Sequence, residues 1–247
     1  MKLAIMQPYF FPYVGYFSLM YETKTMILID EVQFRRKSWM TRNRIYNPHA
    51  SFTFIHIPIN KAPLHTKIKD IQISQQSYWR EQLIKQLSVY EKAPYYNETI
   101  NLIKSLMEFT DPSLVKWHQH CIQKINQYLQ LDCKVEIFSE LNIEIEDVYG
   151  PDEWSLNICK SLGAIEYVNP PQGIGLFNEE KFTENEIELT FLQNNLSPYP
   201  QFTDEFQSGL SIIDVLMFNH PKEALRIISD YQTYTKKDKL LIGEGQA

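Results

Sequence analysis

Residues 2–30 read KLAIMQPYFFPYVGYFSLMYETKTMILID, and this stretch decides the fold class. Residues 2–6 form a short apolar run of strand length that ends before Pro8. Residues 15–23 have the apolar spacing of a helix, and residues 25–30 are a second apolar run. Two buried strands joined by a helix predict a βαβ unit with parallel strands.

The carboxyl ends of these two strands are expected to share one edge of the sheet. In doubly wound α/β proteins ligands bind in the crevice beyond those ends. Residues 7–13 follow the first strand and residues 30–33 follow the second. The sequence therefore predicts that both segments face a ligand crevice.

The rest of the chain continues the α/β pattern. Strict alternation over 51–59 predicts a strand with Phe52, Phe54 and His56 on one face. Further predicted strands are 67–73, 135–138, 165–168 and 187–192, and predicted helices are 77–90, 97–109, 113–130, 151–162, 179–185, 211–218 and 221–230. The predicted fold class is α/β, with an N-terminal Rossmann-like βαβ parallel sheet and a largely helical second half.

Two parts of one compact unit are expected. Residues 1–75 form an N-terminal α/β part with the βαβ unit and a basic loop, and residues 76–247 form a helix-rich α/β part with a frayed tail from Thr235. At 247 residues and 44% hydrophobic content, the chain can build its core without disulfides. No glycine-rich or proline-rich composition indicates a collagen-like or low-complexity architecture.

The cellular context is predicted from cysteine use and from the N-terminus. The three cysteines have no CxxC spacing, so neither a disulfide framework nor a zinc knuckle is indicated. Residues 1–20 lack a cleavage site and an apolar run long enough to span a bilayer. We expect a cytoplasmic protein without membrane insertion.

Charge is distributed unevenly within the net charge of −6. Residues 130–210 carry sixteen acids and three lysines, which is typical of a solvated face. Residues 32–69 carry no acid and eight cations: Arg35, Arg36, Lys37, Arg42, Arg44, Lys61, Lys67 and Lys69. Because the pI is about 5.6, DNA is not an expected partner, whereas a small phosphorylated ligand needs only a local patch.

The segment 34–45, FRRKSWMTRNRI, is the strongest candidate site. It follows a strand end and is predicted to be a basic loop with an exposed Trp39. Arg42 and Arg44 can bind phosphate or carboxylate with paired donors, and Trp39 can stack on a base or sugar. The alternative is a solvated basic loop that packs on the acidic second half.

The acids at the end of the second strand have two interpretations. Asp30 or Glu31 can deprotonate an amine, or bind a metal or a ribose hydroxyl. Alternatively they form ion pairs with the adjacent arginines, which would lower their pKa and weaken them as bases. Gly15 opens the following helix, a natural anion site, but neither a P-loop nor a dinucleotide fingerprint is present.

Other polar residues are predicted to be structural or to lie on the surface. His118 and His120 are two apart on a predicted helix and cannot share a metal, so no metal site is predicted. His56 and Cys159 are expected in the core. Asp214 completes a Ser-x-x-Asp pattern with Ser211 and is expected only to start a helix.

Four stretches carry a family resemblance: MQPYFFPYVGYF (6–17), ILIDEVQFRRKSWMTRNRI (27–45), YEKAPYY (90–96) and GLSIIDVLMFN (209–219). In this order they resemble the WbqC-like protein family over nearly the full length. The resemblance implies a role in O-antigen or other surface-polysaccharide biosynthesis. The family is proposed to include glycine transferases, which acylate an amino group on a deoxy sugar.

The resemblance also maps onto single positions. The family motif falls on Gln7, Pro8, Tyr9, Pro12, Tyr13, Gly15, Tyr16, Asp30, Val32, Gln33, Trp39, Arg42, Asn43 and Arg44. Glu31 replaces the second acid of the family's usual Asp-Asp pair, and residues 167–177 diverge from the family's Ser/Gly-rich version. These departures bear on any metal role and on the identity of acceptor and donor.

The leading hypothesis is an acyl or aminoacyl transferase that forms an amide on a nucleotide-linked amino sugar. Asp30 would receive the proton of the attacking amine, and Gln7 and Asn43 would orient the forming amide. The substrate would be bound by Tyr9, Tyr13, Gly15, Glu31, Gln33, Arg35, Lys37, Trp39, Arg42 and Arg44, with Arg42 and Arg44 on the pyrophosphate. Glycyl-tRNA, an acyl-CoA and an adenylate all remain open as donors.

Two other classes also remain open. One is a nucleotidyltransferase-like, ATP-dependent ligase that uses Mg, although residues 12–16 lack the HxGH motif of such folds. The other is a non-catalytic nucleotide-sugar-binding partner of a glycosyltransferase. No cofactor is assigned, and the oligomeric state is not predicted.

Overall fold

The computed structural model of the chain describes residues 1–75 and 78–238. The strands are β1 (Lys2–Met6), β2 (Thr25–Leu28), β3 (Arg42–Asn47), β4 (Ala50–His56), β5 (Lys134–Ile137), β6 (Glu166–Asn169), β7 (Glu188–Asn194) and β8 (Tyr231–Tyr234). The helices are α1 (Val14–Thr23), α2 (Trp79–Gln86), α3 (Tyr96–Met107), α4 (Leu114–Leu129), α5 (Glu153–Leu162), α6 (Glu179–Glu184), α7 (Ile212–Phe218) and α8 (Pro221–Ser229). Short 3-10 helices lie at Ile68–Asp70, Leu87–Tyr90, Phe138–Glu140 and Pro171–Gly173.

One six-stranded sheet has the order β5-β2-β1-β6-β7-β8. The pairs β1–β2, β2–β5, β1–β6 and β6–β7 are parallel, and β8 pairs antiparallel with β7. With the separate β3–β4 hairpin set aside, the strands follow the order of doubly wound nucleotide-binding sheets. The order reverses between β1 and β6, which is where such folds bind ligands. The predicted Rossmann-like α/β class is confirmed.

Both faces of the sheet are buried, as the continuous apolar runs require. On β1, Leu3 and Ile5 pack with the core that α5 and α6 cover, whereas Ala4 packs with the core under α1, α4 and α8. Met26 and Leu28 of β2 lie on the same side as Ala4. Strands from both sides of residue 75 thus belong to one sheet.

Three segments differ from the sequence predictions. Residues 42–47, expected in a basic loop, form strand β3. Residues 67–73, expected to be a strand, form a 3-10 helix flanked by isolated bridges. The buried side chains of Ile68 and Ile71 are three residues apart, which is the repeat of a 3-10 helix and not of a strand. Strand β8 was not predicted, and most of the expected frayed tail, residues 239–247, lies outside the described residues.

A membrane span is not among the described elements: none of those helices combines the length and apolarity that a bilayer crossing needs. Cys159 is buried, as predicted, and His118, expected to be structural or on the surface, is buried as well. His118 bonds the carbonyl oxygen of Met40 at 2.8 Å, and burial lowers its pKa to about 3, so it is a neutral structural residue. His120 stacks on Phe109 with ring centroids 4.3 Å apart.

Candidate ligand-binding site

The β3–β4 hairpin presents one apolar and one basic-aromatic face. Its antiparallel register pairs Arg42 with His56 and Arg44 with Phe54. Because side chains alternate along a strand, these four residues share a face with Phe52. The inward residues include Ile45 and Ile55, which are fully buried. The predicted sharing of one face by Phe52, Phe54 and His56 is confirmed, but His56 is exposed, so its expected place in the core was wrong.

This outward face joins the loop after β1. We call the set Tyr9, Trp39, Arg42, Arg44, Phe52 and Phe54 the aromatic–arginine surface. The rings of Tyr9 and Trp39 have centroids 5.8 Å apart. Trp39 is 41% exposed, as predicted, and Phe52 is exposed as well, so two aromatic rings of the set are open for stacking on a ligand.

The two arginines are held between aromatic rings. The Cζ atom of Arg44 lies 5.4 Å from the Trp39 ring centroid and 5.2 Å from that of Phe52, and the Cζ atom of Arg42 lies 4.6 Å from the centroid of Phe54. Such cation–π contacts hold a guanidinium in place without neutralising it. The aromatic–arginine surface therefore holds the positively charged guanidinium groups of Arg42 and Arg44 at defined positions.

Neither guanidinium has a carboxylate partner among the described residues. Arg44 donates from Nη2 to the carbonyl oxygen of Gly209 at 2.9 Å. The Nε atoms of Arg42 and Arg44 are buried and lack a hydrogen-bond partner in the part of the chain that the structure describes. Partly desolvated cations of this kind are stabilised by an incoming anion. The expected alternative was a solvated basic loop that packs on the acidic second half. Arg44 does contact that half at Gly209, but neither Arg42 nor Arg44 pairs with one of its acids among the described residues.

The loop after β1 is fixed to the hairpin by buried hydrogen bonds. The Phe10 amide donates to the carbonyl oxygen of Trp39 at 2.9 Å. Ser211 donates from Oγ to the carbonyl oxygen of Phe11 at 2.9 Å, and the Ile212 amide donates to that of Pro12 at 2.8 Å. The loop, the hairpin and the start of α7 therefore position Tyr9 against Trp39 as a single unit.

Asn43 does not face a ligand. It is fully buried, its Nδ2 donates to the carbonyl oxygens of Phe10 and Phe11, and its Oδ1 accepts from the Arg44 amide at 2.8 Å. Because both ends of the side-chain amide are used inside the protein, the predicted role in orienting a forming amide is corrected. Asn43 instead holds the loop after β1 to the hairpin.

Gly15 is also structural. A Cβ atom at this position would lie 2.5 Å from the ring of Tyr13, so only glycine lets that ring close over the first turn of α1. Gly15 is buried and Tyr13 is half-buried. The start of α1 is thus covered by an aromatic ring, and the predicted anion site at Gly15 does not fit.

The carboxyl edge of the sheet is built as predicted. The Ile29 amide donates to the carbonyl oxygen of Met6, so Gln7 and Asp30 follow neighbouring parallel strands. Gln7 is exposed there. The Tyr16 hydroxyl donates to the backbone carbonyl of Gln7 at 3.1 Å. Because this hydrogen bond does not use the side chain, the side-chain amide of Gln7 is available to a ligand.

Asp30 is buried at this edge. Its carboxylate accepts from the Ser139 amide at 3.0 Å and from the Ser139 hydroxyl at 2.6 Å. Burial raises the pKa of Asp30, against the lowering effect of the two bonds from Ser139. Ser139, rather than an arginine, is the partner of Asp30, so the expected ion pair with the adjacent arginines is not formed. Asp30 thereby ties the end of β2 to the segment after β5, and its role as a base stays a prediction.

The remaining predicted ligands lie beyond β2. Glu31 pairs with Lys67 at 2.7 Å and Lys69 at 2.6 Å rather than with the arginines. Burial opposes ionisation of Glu31, but the bonds from both lysines outweigh it and keep its pKa below the ordinary value. Gln33 donates to the carbonyl oxygen of Leu64 at 2.6 Å, and Arg35 and Lys37 are exposed.

Asp214 is more than the start of a helix. Its buried carboxylate accepts from the Tyr90 hydroxyl at 2.6 Å, the Tyr199 hydroxyl at 2.7 Å and Gln201 Nε2 at 2.7 Å. The Tyr90 hydroxyl in turn accepts from the Tyr46 amide of β3 at 2.8 Å. The network joins the third and fourth resemblance motifs to the hairpin, and no local sequence signal could have revealed these distant partners.

Comparison with known proteins assigns the family. A sequence profile of the WbqC-like protein family matches residues 7–226. The chain is also similar to the uncharacterized protein Rv1507c of Mycobacterium tuberculosis, with 26% identity over 243 residues, which cover 96% of this chain and 99% of that protein. No solved structure gives a significant match.

Proposed function

The chain belongs to the WbqC-like protein family, and on that premise we propose that it is an acyl or aminoacyl transferase acting on a nucleotide-linked amino sugar. The reaction forms an amide on the sugar's amino group, with glycine as the acyl group that the resemblance implies. The product would serve O-antigen or surface-polysaccharide biosynthesis.

The observation that carries the proposal is the aromatic–arginine surface. It holds two guanidinium groups without a carboxylate partner among the described residues, next to the exposed ring of Trp39. A nucleotide diphosphate offers the complementary features: two anionic phosphates for Arg42 and Arg44, and a planar base for Trp39. A neutral sugar or an uncharged peptide would leave the arginines uncompensated.

The position of this surface supports the same ligand class. Tyr9 follows β1, the central strand beside the reversal in strand order, and nucleotides bind at that point in doubly wound sheets. The likeness of strand order is an analogy of fold, so the ligand class rests on the arginines and Trp39. The exposed Gln7 side chain at the end of β1 is then suited to orient the sugar end of the ligand.

Binding tests this proposal without knowledge of the acyl donor. UDP, dTDP, UDP-glucosamine and ATP with Mg would be titrated calorimetrically into wild type, Arg42→Gln and Trp39→Leu. We expect a diphosphate nucleotide to bind wild type and each substitution to weaken it by about tenfold or more, since charge-assisted hydrogen bonds and ring stacking each contribute on the order of 1–3 kcal/mol.

Lys24→Gln is the matched control. Lys24 also lies over an aromatic ring, with Nζ 4.7 Å from the ring centroid of Tyr21, but outside the aromatic–arginine surface. Its substitution should leave nucleotide affinity unchanged. Equal affinity of wild type and Arg42→Gln for every diphosphate nucleotide would refute the proposal, and a preference for ATP with Mg would favour the ligase class.

A further inference from the structure

A second depression adjoins the aromatic–arginine surface at His56. It has a volume of about 370 Å³ and lies between the segment that precedes β3 and the segment that follows β4. Its lining includes Arg36, Lys37, Thr41, His56 and Lys61. We call it the cationic depression.

The walls of this depression are tied to each other. Arg36 donates from Nη2 to the carbonyl oxygen of Ala62 at 2.7 Å across its width. At its base, the Ile57 amide donates to the carbonyl oxygen of Thr41 at 3.0 Å. Phe34 is buried beneath, and its amide donates to the carbonyl oxygen of Thr66 at 2.9 Å. Hydrogen bonds within the protein therefore define the shape of the depression.

The positive charge of this depression is not neutralised by the neighbouring acid. Glu31 is the acid that immediately precedes the acid-free segment 32–69, and it pairs with Lys67 and Lys69. Within the described ranges, Arg36, Lys37 and Lys61 form no salt bridge. Three cations around a concave surface favour an anion.

His56 stands between the two sites. It is the direct cross-strand partner of Arg42 and also lines the cationic depression. His56 is exposed overall, but partial desolvation of its ring and the charge of Arg42 lower the pKa of His56, which favours the neutral form of the ring. Neither ring nitrogen has a hydrogen-bond partner in the part of the chain that the structure describes. A neutral imidazole in this position can accept a proton.

We propose that the cationic depression binds the phosphate-bearing leaving group of the acyl donor and that His56 contacts the reacting amine between the two sites. This inference rests on the proposed function and names its donor class, an ester or thioester of a phosphorylated nucleotide. The acyl donor would then lie in the cationic depression and the amino sugar on the aromatic–arginine surface, with His56 between them.

The chemistry at this junction is balanced. The amine nitrogen attacks the carbonyl carbon of the donor and forms the C–N bond, and His56 takes a proton from that nitrogen. The bond between the carbonyl carbon and the leaving oxygen or sulfur then breaks. The leaving group takes the proton from the imidazolium, so His56 returns to its neutral form.

Histidine NMR on the full chain tests the subsite without turnover. The pKa of His56, assigned by comparison with His56→Gln, would be measured alone and with coenzyme A, AMP or inorganic phosphate. We expect one of these anions to raise the pKa of His56, because a bound phosphate stabilises the imidazolium. Coenzyme A and AMP distinguish the thioester source from the nucleotide ester, and an effect of inorganic phosphate alone would indicate an adventitious ion only and overturn the donor assignment.

The double variant Lys37→Gln/Lys61→Gln should weaken that anion by about tenfold or more and remove the rise in pKa. Lys92→Gln, an exposed lysine outside the depression, should change neither quantity. If the rise persists in the double variant, or if no anion moves His56, the subsite is refuted. UDP-glucosamine binding, measured on the same samples, distinguishes the proposed function from the donor subsite. If UDP-glucosamine does not bind but an anion still raises the pKa of His56, the proposed function alone is refuted.

The proton role of His56 has its own test. With the donor that the titration identifies, His56→Gln should bind both ligands as wild type does but form amide about 10²-fold more slowly or worse. Added imidazole should restore part of the rate of His56→Ala. A rate of His56→Gln equal to that of wild type would overturn the role.

Discussion

Two charged regions of this molecule are built in opposite ways. The carboxylate of Asp214 is buried and accepts three hydrogen bonds from Tyr90, Tyr199 and Gln201. Arg42 and Arg44 are half-buried against aromatic rings and have no carboxylate partner among the described residues. The carboxylate of Asp214 has its hydrogen-bond partners inside the protein, whereas the arginines keep their charge for a ligand. Buried charge thus marks structure in one region and recognition in the other.

Asp214→Ala should have the largest effect on stability. The substitution leaves the buried Tyr90 hydroxyl and the half-buried donors of Tyr199 and Gln201 without their acceptor, at a cost of about 1–3 kcal/mol for each group that finds no other partner. We expect a loss of roughly 3 kcal/mol or more in urea unfolding. Arg42→Gln, in contrast, should lose nucleotide binding and stay within about 1 kcal/mol of wild type. Equal destabilisation by both variants would contradict the distinction between a structural Asp214 and a ligand-binding Arg42.

Asn43→Ala should lower both stability and nucleotide affinity. Its amide bonds Phe10, Phe11 and Arg44, so its loss should cost about 2 kcal/mol and release the loop that carries Tyr9. We expect nucleotide affinity to fall together with the urea midpoint. If affinity falls while the midpoint is unchanged, Asn43 contacts the ligand and its structural assignment is wrong.

The pH dependence of stability sharpens the same contrast. Burial raises the folded-state pKa of Asp214 above its ordinary value, against the lowering by its three donors, so the folded protein binds the proton more tightly than the unfolded chain does. The stability contribution of Asp214 should therefore be greatest below about pH 4 and fall as the pH rises through the raised pKa. Asp214→Asn should lack this component. A wild-type minus variant difference that rises with pH would contradict the sign.

Gly15→Ala should have the smallest effect. The added methyl group must displace the ring of Tyr13, which can move, so we expect a loss of about 1 kcal/mol in unfolding free energy. Tyr13→Ala should remove most of this penalty in the double variant, as a double-mutant cycle would measure. Additive effects would show that the two residues do not interact.

Much of the fold can be predicted from local pattern. The runs at β1 and β2 and the spacing of α1 predict the parallel unit, and it places Gln7 and Asp30 at one edge. Strand β3 was missed because Arg42 and Arg44 made its sequence resemble a solvent-exposed loop. Arg42 and Arg44 alternate with Asn43 and Ile45 in the sequence, but this alternation identifies a strand only when the pairing with β4 is known.

The candidate site was less predictable for a related reason. Trp39, Arg42 and Arg44 could be selected from their chemistry, since exposed aromatic and guanidinium groups suit phosphorylated ligands. Asn43 was assigned to catalysis, and Ser139 was not foreseen as the partner of Asp30, because sequence does not show which polar groups are buried with partners. The exposure of His56 and the network of Asp214 depend on residues far apart in the chain.

The most direct test of the central claim is an NMR titration of the tryptophan indole N–H signals with UDP-glucosamine. The chain has four tryptophans, of which Trp39 is 41% exposed and lies beside Arg42 and Arg44, and Trp39→Leu assigns its signal. We expect a saturable shift of the Trp39 signal that disappears in Arg42→Gln, with the signal of buried Trp117 unchanged. Saturable binding that leaves Trp39 unmoved would contradict the account.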